Sequence, residues 1–335
     1  MKIDGRGCVD VANWISSQLA RLDIPTPFEV GNVNVYIVEH GGRFFMVDCG
    51  PDTEEAWAAL NDELAELELT LADIDFLFLT HHHADHAGQA WRLRDASIPV
   101  YGHEKLVRYL EQTPNFIKKG NHFLYELAHW FGAPESIITK LPDYREALRW
   151  IGPTTVTMTF EEGQDVTSDG AWKTIHLPGH ASDQLGLLGP GGVLIAGDHL
   201  IDAVEPNPLI EQPYDGEGFA SPVLLYLDSL RKLQALDIKL VVSGHGNPIP
   251  HPRALIESRI SQRYERSEQL LNDWADGLSV FDWSMRLYGR KMRRAMPLIF
   301  SEVFARLTLL EERGHVVKQL ADGKWIYVRV EEAME

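Results

Sequence analysis

Residues 74–88 read Ile74-Asp75-Phe76-Leu77-Phe78-Leu79-Thr80-His81-His82-His83-Ala84-Asp85-His86-Ala87-Gly88. The first half is an apolar run of strand length, and it ends directly in three histidines. Side chains at i and i+2 of an extended segment point the same way. His81 and His83 can therefore approach one ion together, while His82 faces away. Asp85 and His86 follow one turn later, at the start of a helix that Gly88-Gln89-Ala90 continues, and can reach a second ion close by. Imidazole and carboxylate donors suit zinc, and also iron or manganese.

Three more segments end in the same way. His180 closes Leu177-Pro178-Gly179-His180, Asp198 closes Ile195-Ala196-Gly197-Asp198, and His245 lies in Val242-Ser243-Gly244-His245-Gly246. Each follows a strand pattern and sits beside glycine, which allows sharp turns and close backbone approach. Loops at strand ends that carry His or Asp are how a rigid sheet presents a metal site. Asp183 and Gln184 are expected to support a ligating imidazole through its second nitrogen. His176, His199 and His251 are read as non-ligands, and His103, His122 and His129 as surface or pocket residues.

Working outward, residues 28–48 alternate as two strands around His40-Gly41-Gly42, and a helix opens at Asp52-Thr53-Glu54-Glu55. A short strand follows at 98–101. Residues 103–150 read as an aromatic-rich helical insertion broken by Pro114, Pro134 and Pro142. It is expected either to form a cap with its own small core or to lid the cleft. Strands resume at 154–160, 172–177, 185–188, 193–196 and 240–242, with a helix at 222–236. Strands interrupted by helices in this order make a layered α/β sandwich. The domain is placed at residues 1–251. Residues 252–335 read helix, helix, β-hairpin, a small winged-helix-like C-terminal domain.

The 335 residues carry a net charge of -18. Residues 252–335 hold 14 Lys+Arg and 13 Asp+Glu, net +1. Residues 1–251 hold the other 17 and 36, net -19. So acidic a body disfavours nucleic acid, whose affinity comes from phosphate neutralisation, and favours a small-molecule substrate. The basic run Arg290-Lys291-Met292-Arg293-Arg294 is read as a solvated or dimer-forming face, with a homodimer as the candidate assembly. Two cysteines make no disulfide framework, and Cys49 reads as a buried, inert thiol. No apolar run approaches the ~20 residues of a membrane span, and the N-terminus has no signal-peptide pattern. A cytoplasmic location is expected.

The pattern His81/His83/Asp85/His86, with Pro-Gly-His180, Gly-Asp198 and Gly-His245-Gly in order, resembles the metallo-β-lactamase superfamily over about residues 28–250. The text from Gly197-Asp198-His199-Leu200 onward, with the C-terminal segment, resembles its glyoxalase II-like branch, whose members also include a subgroup of endoribonucleases. The resemblance implies an αββα sandwich with two divalent metals, zinc first and iron or manganese as alternatives. It implies that His81, His83 and His180 hold the first metal, that Asp85, His86 and His245 hold the second, and that Asp198 bridges them. Asp85 and Asp198 are the expected catalytic carboxylates. A water between two cations becomes hydroxide near neutral pH and attacks an acyl or phosphoryl centre, and Asp85 could pass a proton to the leaving group.

The leading expectation is hydrolysis of a small ester, thioester or lactone. A nuclease or phosphodiesterase is the first alternative, disfavoured by charge, and a mono-iron persulfide dioxygenase is a further one. Flavodiiron proteins carry Glu where His83 stands, plus a flavodoxin-like domain, and this chain has neither. The complete donor set argues against a non-catalytic DNA-binding regulator. A secreted β-lactamase does not fit the expected location or the C-terminal segment.

Overall fold

A strand buried on both faces must carry apolar residues on both, and residues 33–38 do so. Val33, Val35 and Ile37 face one core, while Tyr36 and Val38 face another. This strand lies at the centre of a layered sandwich. The computed structural model describes residues 14–214, 219–293 and 295–330.

The first sheet has seven strands in sequential order: β1 (Trp14–Ser16), β2 (Leu19–Ile24), β3 (Val33–His40), β4 (Arg43–Val47), β5 (Ile74–Phe78), β6 (Val100–His103) and β7 (Met158–Phe160). It is antiparallel through β4 and parallel from β4 to β7. The second sheet comprises β8 (Lys173–His176), β9 (Leu185–Gly189), β10 (Val193–Ile195), β11 (Leu240–Val242) and β12 (Ile249–Pro250), with β10 and β11 parallel. The helices of the first half are α1 (Glu54–Glu66), α2 (Ala84–Ala87), α3 (Ala90–Asp95), α4 (Val107–Glu111), α5 (Pro114–Trp130) and α6 (Glu135–Ile138). Those of the second half are α7 (Pro222–Gln234), α8 (Arg253–Glu268), α9 (Val280–Tyr288) and α10 (Met296–Glu312).

Three cores stack through the sandwich. Ala56, Leu60 and Leu64 of α1 and Leu93 of α3 pack on the outer face of the first sheet. Tyr36, Val47, Phe78, Leu187 and Ile195 fill the space between the sheets. Leu227 and Leu230 of α7, with Ile256 of α8 and Leu309 of α10, cover the outer face of the second. The α1 helix starts where the sequence predicted, with Thr53 Oγ1 accepting from Ala56 N at 3.1 Å.

The C-terminal elements place α9 and α10 against a three-stranded sheet. Here β14 (Val316–Ala321) and β15 (Lys324–Arg329) form the expected hairpin, and β13 (Leu278–Ser279) joins the edge of β15. The insertion does not form a core of its own. Phe123 and Leu127 of α5, with Phe131 just after it, share one with Val280, Trp283, Phe300, Phe304 and Tyr327. The amphipathic face of a helix needs a partner surface, and here a segment more than a hundred residues away supplies it. Arg294 of the basic run at 290–294 lies outside the described residues, as does Cys8. Among those described, no helix is long and apolar enough to cross a membrane. Cys49 is fully buried, and burial pushes its thiol upward.

Candidate metal centre

Four of the donors follow the C-terminal ends of strands at the same edge of the sandwich. His81 follows β5, His180 follows β8, Asp198 follows β10 and His245 follows β11. The structure brings all seven together in overlapping groups. Donor atoms of His81, His83 and His180 lie within 4.8 Å of one another, as do those of His81, His86 and Asp198, and those of Asp85, His86 and His245.

In the first group His83 Nδ1 is 2.9 Å from His81 Nε2 and 3.0 Å from His180 Nε2. The edge of a tetrahedron with metal–nitrogen bonds of ~2.05 Å is about 3.3 Å, so this spacing suits three ligands of one ion. In the second, Asp85 Oδ2 lies 3.2 Å from His245 Nε2. Asp198 stands between the groups, with Oδ2 3.6 Å from His180 Nε2 and 3.5 Å from His245 Nε2, and Oδ1 3.4 Å from His86 Nε2. Among the described residues, the buried atoms His86 Nε2, His245 Nε2 and Asp198 Oδ1 have no hydrogen-bond partner. Leaving such atoms unsatisfied costs about 1–3 kcal/mol each, and all three face the point where a cation would satisfy them. The donor set therefore fits divalent metal ions.

The second nitrogen of each of three imidazoles is held by the chain. His86 Nδ1 meets Asp48 Oδ2 at 2.7 Å, His245 Nδ1 meets Asn32 O at 2.7 Å, and His180 Nδ1 meets Asn207 O at 3.1 Å. These contacts fix the tautomer that turns Nε2 inward. Asp48 also accepts from Thr80 N and Thr80 Oγ1, both at 2.8 Å, and Thr80 Oγ1 lies 3.0 Å from His81 Nδ1. Sequence reasoning missed Asp48, although it follows β4 much as Asp198 follows β10. The expectation that Asp183 and Gln184 support His180 is corrected. Asp183 pairs with His82 at 2.8 Å and Gln184 donates to the Ala196 carbonyl at 2.6 Å, so both side chains are engaged away from the His180 ring. His82 stacks on Tyr109, with ring centroids 3.4 Å apart. His103 is buried and stacks on His176, and His122 is exposed.

Two glycines make the crowding possible. A Cβ on Gly244 would fall 2.2 Å from Asp198 Oδ1 and 2.4 Å from His86 Cε1. Gly179 has φ +138 and lies against the backbone of Tyr226, a conformation that favours glycine.

The electrostatics divide the donors. Burial drives His81 and His83 well below the ordinary histidine value, and their imidazole neighbours push the same way. Burial also lowers His180, against the pull of Asp198. For His86, burial opposes the charge, but Asp198, Asp48 and Asp85 outweigh it and hold the ring well above that value. His245 is raised by Asp198 and Asp85, again against burial. Burial would raise Asp85 and Asp198, yet the neighbouring histidines, His86 first, bring both below the usual carboxylate range.

A cavity of about 330 Å³ lies against the loop that carries His180, although none of the seven donors lines it. Gly179 and Ser182, on either side of His180, form part of its wall, with Pro178, Leu209, Glu211 and Leu225. Glu211 joins cavity and centre, since its carboxylate also lies within 4.8 Å of donor atoms of His82 and His83. It accepts from Ser182 N at 3.0 Å and Tyr109 Oη at 2.9 Å. The sequence held no signal for Glu211, which stands in an irregular loop.

Residues 28–245 match the family model of the metallo-β-lactamase superfamily, and the chain belongs to that superfamily. Over 308 residues it is 32% identical to YqjP of Bacillus subtilis, described as a probable metallo-hydrolase, covering 91% of this chain and 96% of that one. It is 25% identical over 310 residues to the atrochrysone carboxyl ACP thioesterase AgnL7 of Paecilomyces divaricatus, covering 88% and 80%. The crystal structure of a metallo-β-lactamase family protein from Thermus thermophilus superposes with a TM-score of 0.79 at 25% identity, covering 95% of this chain and 100% of that one. The protein is thus similar to metallo-hydrolases along nearly its whole length.

Proposed function

We propose that the protein hydrolyses a small ester, thioester or lactone with an apolar portion, at a centre of two divalent metals, zinc foremost. His81, His83 and His180 would hold one ion, Asp85, His86 and His245 the other, and Asp198 both. Bound cations supply Lewis acidity and lower the pKa of a coordinated water towards neutrality. The rest is the chain's own work. Asp48 and the carbonyls of Asn32 and Asn207 keep three imidazoles oriented. Asp85, the more exposed of the two site carboxylates at 13% against 9%, is assigned the transfer of a proton to the leaving group.

The observation that carries the reading is the convergence of buried, unpartnered donor atoms beside a largely apolar cavity. At roughly 30 Å³ for a group the size of a water molecule, 330 Å³ holds the apolar part of an acyl compound. Similarity to an ACP thioesterase supports the thioester among the three substrate classes. We also read residues 252–335 as a winged-helix-like unit appended to a catalytic domain at 1–251.

The test is a panel of acyl thioesters, p-nitrophenyl esters, lactones, a bis-phosphodiester and a labelled RNA, offered to metal-loaded protein. Hydrolysis of an acyl compound that is lost in Asp198→Ala is expected. Cleavage of RNA or the phosphodiester alone would overturn the reading.

A further inference from the structure

Residues 201–214 run from the Asp198 loop back beneath His180 without regular secondary structure. The backbone carbonyls of such a strap need partners, and two arginines of α8 provide them. Arg259 Nη2 is shared by the carbonyls of Ile201, Asp202 and Val204, at 3.1, 2.9 and 3.1 Å. Arg263 Nη2 donates to the Pro206 carbonyl at 2.5 Å, and the same guanidinium pairs with Glu205 at 2.5 Å and Glu302 at 2.8 Å. The α10 helix adds two anchors. Leu298 O accepts from Asn207 Nδ2 at 2.8 Å, and Ser301 Oγ accepts from Ile210 N at 3.1 Å.

The other side of the strap holds His180. Asn207 O receives its Nδ1–H at 3.1 Å, and Leu209 N donates to its carbonyl at 3.4 Å. Arg259 and Arg263 are buried, at 8% and 3% exposure. Burying a guanidinium is costly, and a buried ion pair is weak evidence of added stability. Here much of the charge goes to one segment, and the middle of that segment holds a ring that must present Nε2 to its neighbours.

We infer that Arg259 and Arg263 are positioning residues for His180, through the strap and the Asn207 carbonyl, so that the C-terminal helices set the geometry of one metal site. The planar fork of arginine gathers several acceptors in a fixed geometry, which a lysine ammonium does not. This assigns the C-terminal segment a part in the centre without contact to substrate. It rests on the two-site reading of the seven donors.

The experiment titrates apoprotein with Co(II), following the absorption of each site, with chelator competition for Zn(II). His180→Ala identifies the signal that belongs to the His180 site. In Arg259→Met and Arg263→Met, affinity at that site is expected to fall about 10–100-fold, with the other site within about threefold of wild type. Arg263→Lys is expected to stay impaired. Arg313→Ala, which removes an exposed pair with Glu268, is expected to change neither site. Affinities at both sites within threefold of wild type in Arg259→Met and Arg263→Met would overturn the inference, as would equal weakening of both, which is general loosening. Should Arg263→Met fail to fold, Arg259→Met, which leaves the ion pairs of Arg263 with Glu205 and Glu302 in place, decides alone. Wild-type protein that binds no metal would instead sink the two-metal reading itself.

Discussion

Asp48 stands behind the centre, and replacing it by Asn separates its charge from its shape. The side chain is 2% exposed and accepts three hydrogen bonds, from Thr80 N, Thr80 Oγ1 and His86 Nδ1, at 2.8, 2.8 and 2.7 Å. In Asp48→Asn the side chain keeps a carbonyl for Thr80 N, and Thr80 Oγ1 can turn to accept from the new amide. His86 Nδ1–H then meets a donor. One hydrogen bond to a charged group is lost, about 1.5–3 kcal/mol. At ~1.4 kcal/mol per decade this weakens metal binding at the His86 site about 10–100-fold, the range typical of partners behind a ligand. The His81 site feels less, because only Thr80 links it to Asp48. Chelator competition at alkaline pH, where protons no longer compete for His86, measures both affinities. If neither site weakens by more than about threefold, the orienting role given to Asp48 is wrong.

Three further outcomes are expected. Because His86 and His245 are held above, and His81 and His83 below, the ordinary histidine value, protons compete first for the Asp85/His86/His245 set as pH falls. That set should release its metal at higher pH than the His81/His83/His180 set, and stepped dialysis with metal analysis that found the reverse order would refute the assignment. Gly244→Ala places a methyl within 2.2 Å of Asp198 Oδ1 and should cost about 100-fold in activity, as displacements near 1 Å do; an unchanged rate would contradict the packing. Phe131→Ala empties a fully buried position shared by α5 and the C-terminal helices, at ~3–5 kcal/mol. Denaturant unfolding with a change below ~1 kcal/mol would deny that these segments share a core.

The donors were legible because each is announced locally. An apolar strand ends and a His or Asp follows, with a glycine between them at His180, Asp198 and His245 but not in the run 81–86, so the class of chemistry can be read without coordinates. The helix Val280–Tyr288 and the hairpin Val316–Ala321 with Lys324–Arg329 were legible in the same way, from short-range periodicity and an Asp-Gly turn. Strands β1 and β2 were not read from the sequence, although in β2 Ala20, Leu22 and Ile24 alternate with Arg21 and Asp23 as a half-buried strand does.

What holds the donors in place escaped the sequence, because orientation depends on long-range pairs. Asp48 reaches His86 across 38 residues, Asn32 reaches His245 across 213, and Arg263 grips Pro206 across 57. None of these pairs carries a local signature, and Asn207 acts through a backbone carbonyl that any residue type offers. Likewise the apolar face of α5 was plain in the sequence, but its partner was not. The sequence by itself determined which donor atoms the chain offers, since donor chemistry belongs to residue types. Only the tertiary structure decided how they are aimed and what covers them, since aim and burial belong to contacts between segments far apart in the chain.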